Sequence, residues 1–209
     1  MRVLVACEYS GTVRDAFTRL GHTAMSCDLL PSDTPGLHHQ GDVREILHSG
    51  YWDLVIAHPP CTYLCRAGAR WLHDERPSTP TCLRGQDRWR ALHDAVDFLR
   101  MFLECGAPRI AVENPRPYSA AAALIGSQPD QYVQPYEFGH LERKQTGLWL
   151  RNLPPLVPTS DLKAETLSLP KSVTDKVHRA APGPDRWKLR SITYKGIADA
   201  MATQWGGLE

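Results

Sequence analysis

Asp53-Leu54-Val55-Ile56-Ala57-His58-Pro59-Pro60-Cys61 is the stretch from which the fold is read. Four apolar residues in a row, with no polar alternation, suit a central strand buried on both faces, the pattern of a parallel sheet. Pro59 and Pro60 end the strand because proline offers no amide hydrogen to a ladder. Cys61 therefore emerges at the carboxyl end of the strand. Upstream, Val3-Leu4-Val5-Ala6-Cys7 is a similar run, broken by Glu8-Tyr9-Ser10-Gly11 and followed by Val13, Ala16, Phe17 and Leu20 at helical spacing. That order reads as strand, turn, helix. A second short strand covers Thr23 to Cys27 and stops at Asp28; a Pro-rich loop (Pro31 to Gly36), Gly41-Asp42 and a short amphipathic piece from Val43 to Leu47 lead back to the central strand.

Downstream, a polar stretch to about Gln86, rich in Arg and Pro, reads as a long loop, a length usually reserved for function. Leu92, Ala95, Val96, Leu99, Phe102 and Leu103 form a helical stripe, so Asp87 to Glu104 is expected to be a helix, stopped by Gly106 and Pro108. Arg109-Ile110-Ala111-Val112 follows as another strand. Gln131 to Phe138 and Thr146 to Leu150 are expected strands, residues 151 to 190 an irregular Pro-rich excursion, and Gly196 to Trp205 a helix carrying Ile197, Ala200, Met201 and Gln204. Alternating strands and helices predict an α/β fold with a mostly parallel sheet, helices on both faces and functional groups at the carboxyl ends of the strands.

The 209 residues, 42% hydrophobic and 22% charged, suffice for one core and suggest one domain. The 17 prolines and 15 glycines predict many loops without reaching low complexity. No apolar run is long enough to span a membrane and no charged-then-apolar leader is seen, so a soluble, cytoplasmic protein is expected. Six cysteines in a chain of this size do not suggest a disulfide scaffold. The net charge of +1 is unevenly spread: residues 1 to 60 carry a net −3, residues 140 to 195 a net +6. Such asymmetry points the later segment towards an anion, phosphate above all, against the plainer reading of scattered solvated charges.

Pro59-Pro60-Cys61-Thr62-Tyr63-Leu64-Cys65-Arg66-Ala67-Gly68 carries the most chemistry. A cysteine at the sheet's exposed edge can be a thiolate nucleophile, although a lone cysteine is more often a small buried apolar residue. A second string, Val112-Glu113-Asn114-Pro115, also ends a predicted strand. Together the two strings resemble the Pro-Cys and Glu-Asn motifs of the carbon-5 cytosine DNA methyltransferases, including the glycine at the position of Gly68. The resemblance implies a class I, Rossmann-like methyltransferase fold with a seven-stranded sheet that binds S-adenosylmethionine. It also implies catalytic roles: Cys61 adding to carbon 6 of cytosine, Glu113 contacting N3 and the amino group, with Pro60 and Asn114 beside them.

On the cofactor side, the resemblance assigns Cys7, Glu8, Ser10 and Gly11 to the Gly-rich first turn, with Glu8 where a glycine is usual. Asp28 corresponds to the ribose contact, Asp42 and Val43 to the adenine contact, Pro59 to the strand end, and Thr193 and Gly196 to the C-terminal motif that packs beside the cofactor. On the substrate side, Arg66, Arg70, Arg143, Lys144 and Thr146 are the expected contacts, Gly139 to Leu150 standing where the family's Gln-Arg motif falls without reproducing it. Thr62 departs from the family's usual glutamine.

Two other constellations were weighed. Cys61 and Cys65 with His58 and His73 resemble part of a zinc site, but a second tight ligand pair is missing, so no metal is expected. Pro-Pro after a strand also resembles the amino-methylating DNA enzymes, yet Cys61 stands where their stacking aromatic would be. The expected partner is DNA, duplex or single-stranded, or a cytosine nucleotide; a flipped base would be required from a duplex. About 40 residues lie where sequence-reading members carry a recognition domain, a compactness that suits a phage or mobile-element modification enzyme. The competing possibilities are modification of a free nucleotide and a catalytically idle nucleic-acid-binding module.

Overall fold

A computed structural model of the chain describes residues 1–179, 181, 183 and 186–208. Strand β1 (Arg2–Ala6) lies inside a seven-stranded sheet, paired in parallel with β2 (Thr23–Asp28) on one side and β4 (Leu54–Ala57) on the other. The short β3 (His38–Gln40) adds beyond β2, and β5 (Arg109–Pro115) beyond β4, both parallel. Then β7 (Thr146–Arg151) pairs antiparallel with β5, and β6 (Gln131–Val133) antiparallel with β7. The order β3-β2-β1-β4-β5-β7-β6, with β7 alone reversed, is a mostly parallel, Rossmann-like α/β fold. The chain leaves β1 in one direction to make β2 and returns on the other side as β4, so a crevice opens between their carboxyl ends.

Strand alternation explains why both faces are covered. Val3, Val5, Leu54 and Ile56 pack against α1 (Thr12–Arg19) and α9 (Lys195–Trp205), where Val13, Phe17, Met201 and Trp205 are buried. Leu4, Ala6, Val55 and Ala57 face the opposite layer, formed by α2 (Arg44–Leu47), α3 (Gly85–Leu103) and α4 (Ser119–Ile125). Every residue of β4 is fully buried, as its unbroken apolar run requires.

Several elements differ from the sequence expectation. The polar β3 has no apolar signal and is held by backbone pairing with β2, extended by the Ser26 amide donating to the Leu37 carbonyl at 3.0 Å. The helix α4 is an alanine-rich run with too little stripe to read, closed by Gly126 at φ 82°. The strand expected over Gln131 to Phe138 stops at Val133, because Pro135–Glu137 form a 3-10 turn whose Glu137 carboxylate accepts from the Gln134 amide at 2.6 Å. The long polar loop contains a 3-10 segment, Arg66–His73. The excursion at 151–190 holds short helices α5 (Lys163–Ser168), α6 (Lys171–Thr174), α7 (Lys176–Arg179) and α8 (Arg186–Ser191), each too short to reveal a periodic face; positions 180, 182, 184 and 185 of it lie outside the described residues.

Arg14, on α1, is fully buried. Its guanidinium donates to Ser26 Oγ (3.1 Å), Ser32 Oγ (3.0 Å), Thr34 Oγ1 (2.6 Å) and the Pro35 carbonyl (3.1 Å), and pairs with Asp15 at 2.7 Å. One cation thus fastens the loop after β2 to the N-terminal end of α1. A Cβ at Gly36 would collide with that guanidinium, so the glycine is required for the approach. Replacing Arg14 by Met is expected to cost about 3 kcal/mol, since the acceptors around it stay buried without a donor; urea denaturation measures the loss.

Candidate active site

The carboxyl ends of β4 and β5 bring the two sequence motifs together. The Asn114 side chain, buried on β5, donates from Nδ2 to the Pro59 carbonyl at 2.7 Å and so ties the Glu-Asn strand to the start of the cysteine turn. Beyond Pro60 the chain folds tightly: the Leu64 and Cys65 amides both donate to the Cys61 carbonyl at 3.0 Å. This turn carries Cys65 back onto Cys61.

The two thiols hydrogen-bond to each other. That shared bond, with burial and the nearby Cys65 and Glu113 charges, pushes the Cys61 thiol upward. The same bond lowers Cys65 to about 6, helped by the Ala67 amide and the Arg190 guanidinium against the opposing effect of burial. Arg190 favours the ionised form at both sulfurs. The pair is therefore poised to carry one thiolate near neutral pH, on Cys65, while Cys61 keeps its proton.

Glu113 sits beside this pair. Burial alone would raise its carboxyl, but the His58 hydrogen bond, the fields of His58 and Lys144, and the Thr146 hydroxyl outweigh it and hold the group below its ordinary value. The His58 Nδ1 to Glu113 Oε2 distance is 2.9 Å, and the two side chains are only 7% and 15% exposed. Thr146 is buried directly across the ladder, where β7 places it opposite Pro115.

The turn after β1 has a different construction from a Gly-rich loop. Cys7 takes φ 58°, an uncommon conformation for a residue with a side chain, and Gly11 takes φ 73° at the start of α1. The buried Glu8 carboxylate accepts from the Val13 amide (2.6 Å) and the Arg14 amide (3.1 Å), capping α1 from inside the turn. Ser10 Oγ reaches Thr12 Oγ1 at 3.1 Å. Glu8 is raised above the ordinary carboxylate value by burial, with His58 and the two amides opposing. Burial and the charges of Asp28, Cys27 and Asp42 raise Cys7, which shows that these groups converge around the end of β1.

Asp28 ends β2 and accepts from the Leu30 amide through Oδ1 at 3.0 Å; among the described residues its other oxygen makes no hydrogen bond. Asp42 accepts from the Arg44 amide at 2.9 Å and its side chain at 2.8 Å, with Val43 buried behind it. Thr193, half-buried, precedes α9; the Gly196 amide donates to His140 Nε2 at 3.0 Å, and a Cβ there would collide with the Phe138 carbonyl.

The expected substrate residues divide. Arg66 and Arg70 are exposed, Arg70 stacking on Trp71 with its guanidinium 4.4 Å from the ring centre. Arg143 instead pairs with Asp175 at 2.9 Å and donates to Thr174 Oγ1 at 2.9 Å, so it anchors the excursion. Lys144 donates to the Arg190 carbonyl at 3.0 Å.

Sequence reading missed three groups. His58 was visible as a titratable residue at a strand end, but only the fold sets it against Glu113. Arg88, on α3, is buried beneath the cysteine turn, stacked on Tyr63 and donating to the Thr62 carbonyl at 3.4 Å; Gly68 leaves room for it, as any Cβ there would land on its guanidinium. Arg190 arrives from α8, which also docks on the first turn: Tyr9 donates to the Lys188 carbonyl at 3.0 Å and its ring lies 6.1 Å from that of Trp187. No sequence signal links residues so far apart.

Among the described residues no group of three or more His, Cys, Asp or Glu could hold a metal ion, and no helix is long and apolar enough to cross a membrane. No protein-family model and no curated protein matches the chain. Solved structures do match, 44 chains in all. One is a crystal structure described as a DNA modification methyltransferase encoded within a prophage (E. coli), with 16% sequence identity and a TM-score of 0.44. The match covers 72% of this chain and 46% of that one, so the chain spans less than half the length of that protein.

Ultraviolet titration of the thiolates is expected to show a single step near pH 6 from the Cys61–Cys65 pair. The step disappears in Cys65→Ser and moves to higher pH in Arg190→Gln, where the stabilising cation is gone.

Proposed function

We propose that the chain methylates cytosine at carbon 5, in DNA, using S-adenosylmethionine and a transient bond between Cys61 and carbon 6. The observation that carries this reading is the pairing of a thiolate-forming cysteine turn with a carboxylate on the next strand, cross-tied by Asn114 and Pro59. Carbon 5 of cytosine is a weak nucleophile, so the ring needs activation before it can accept a methyl group. Cys61 gives its proton to the Cys65 thiolate as its sulfur adds to carbon 6, which makes carbon 5 enamine-like. Glu113 meets N3 and the amino group and steadies the charge that the addition places on the ring. After transfer, a base or water removes the carbon 5 proton, the carbon 5–carbon 6 double bond re-forms and Cys61 leaves as thiolate.

The donor set at the end of β1 fits the cofactor. Asp28 offers an uncommitted oxygen for ribose hydroxyls, and the acidic pair Asp28 and Asp42 suits a cationic sulfonium and ammonium. Cys7, Ser10, Gly11, Asp28, Asp42, Val43, Pro59, Thr193 and Gly196 would line it, while Glu8 acts through the turn it caps. When bound, S-adenosylmethionine supplies an electrophilic methyl group. The chain works as one methyltransferase domain, with residues 151 to 190 in place of a recognition domain. Arg66 and Arg70 are the phosphate contacts, and Lys144 and Thr146 act on the Glu113 side of the base pocket.

The test is incubation with labelled S-adenosylmethionine and duplex DNA, single strands or dCMP, together with trapping on 5-fluorocytosine, whose fluorine cannot leave as a proton does. Wild type is expected to label DNA and to form the covalent adduct. Cys61→Ser abolishes the adduct and lowers transfer by more than about 10³-fold with cofactor binding retained. Labelling of dCMP alone moves the substrate to the free nucleotide, and no labelling of any of the three overturns the reading. Glu113→Gln is expected to slow transfer by about 10²–10⁴-fold.

A further inference from the structure

We propose that His58 is a positioning residue that supplies the proton Glu113 passes to N3 of cytosine as Cys61 adds to the ring. The proposal rests on the carbon-5 reading above. His58 is the first residue beyond β4, and its amide donates to the Ala6 carbonyl at 2.9 Å, which fixes its backbone as a continuation of the sheet. Its imidazole is almost wholly buried and meets Glu113 Oε2 through Nδ1 at 2.9 Å. The other ring nitrogen, Nε2, is buried with no hydrogen-bond partner among the described residues. The groups facing this pair are Glu8 from the first turn, Cys61 from the cysteine turn, and Lys144 and Thr146 from β7 and the residues before it. His58 thus lies between two carboxyl groups.

The reaction creates a need that Glu113 cannot meet by itself. Thiolate addition forms the sulfur–carbon 6 bond and drives the electron pair of the carbon 5–carbon 6 double bond into the ring, towards N3. An anionic ring in a dry site is costly unless N3 is protonated as the charge arrives. Glu113 is held in its ionised form and carries no proton to give. The imidazolium does. One proton moves from His58 Nδ1 to Glu113 and one from Glu113 to N3, leaving a neutral imidazole, an ionised Glu113 and an uncharged adduct. On elimination the N3 proton returns along the same path and the imidazolium is restored.

The experiment compares wild type with His58→Gln and His58→Ala by two readouts. The first is the ring N–H proton resonance, expected downfield in wild type and lost in both His58→Gln and Glu113→Gln. The second is the rate of adduct formation on 5-fluorocytosine DNA as a function of pH. In wild type the rate falls as pH rises, because the proton donor is then spent. His58→Gln is expected to be slower by about 10²-fold at neutral pH and to lose that fall, with binding of labelled S-adenosylmethionine unchanged. Added imidazole restores rate to His58→Ala, a rescue that a packing role would not give. An unchanged pH profile in His58→Gln, or absence of imidazole rescue in a folded His58→Ala, overturns the role of His58 and leaves the carbon-5 reading standing. Failure of wild type to form any adduct overturns the carbon-5 reading itself, and this proposal with it.

Discussion

The arrangement depends on one hydrogen bond, from the Asn114 amide to the Pro59 carbonyl. Two prolines in succession leave the end of β4 without amide donors, so ordinary ladder pairing cannot hold the chain there. A side-chain donor from the neighbouring strand takes over. Because Asn114 is buried, the bond is made in a medium where leaving either partner unpaired is expensive. It fixes the distance between a turn that carries two sulfurs and a strand that carries a carboxylate, and everything chemical in the site follows from that spacing.

The electrostatics divide along the sheet edge. On the β1 and β2 side, Asp28 and Asp42 make an acidic rim, while Glu8 turns inward to cap α1. On the β4, β5 and β7 side, Arg190 lies near the sulfurs, while Lys144 and the His58 hydrogen bond act on Glu113. The uneven charge seen along the sequence is the linear trace of this division. Its basic half is less available than a simple count suggests, since Arg143 is consumed by Asp175 and Lys176 by Glu142.

The parallel core was legible because β4 and the central runs Val3 to Ala6 of β1 and Ile110 to Val112 of β5 are buried on both faces and so must be apolar; the same necessity makes α3 show its stripe. The order of Pro-Cys and Glu-Asn at strand ends was legible for a related reason, since prolines mark where a strand stops. β3 was hidden because backbone pairing needs no particular side chain, and α4 to α8 because helices of one or two turns have no room for a period. His58, Arg88 and Arg190 were hidden more deeply. Each matters through a partner distant in the chain, and neither spacing nor composition records such a meeting.

The seat of the cysteine turn has a thermal consequence. Hydrocarbon contacts weaken as water cools, and a loop floored by leucines would loosen accordingly. This one is propped from below by the Arg88 guanidinium, with Tyr63 against its face and Gly68 yielding it space. Hydrocarbon supplies only part of its support, through the fully buried Leu64, so the reactive sulfurs should keep their placement in the cold better than a turn seated on leucines alone.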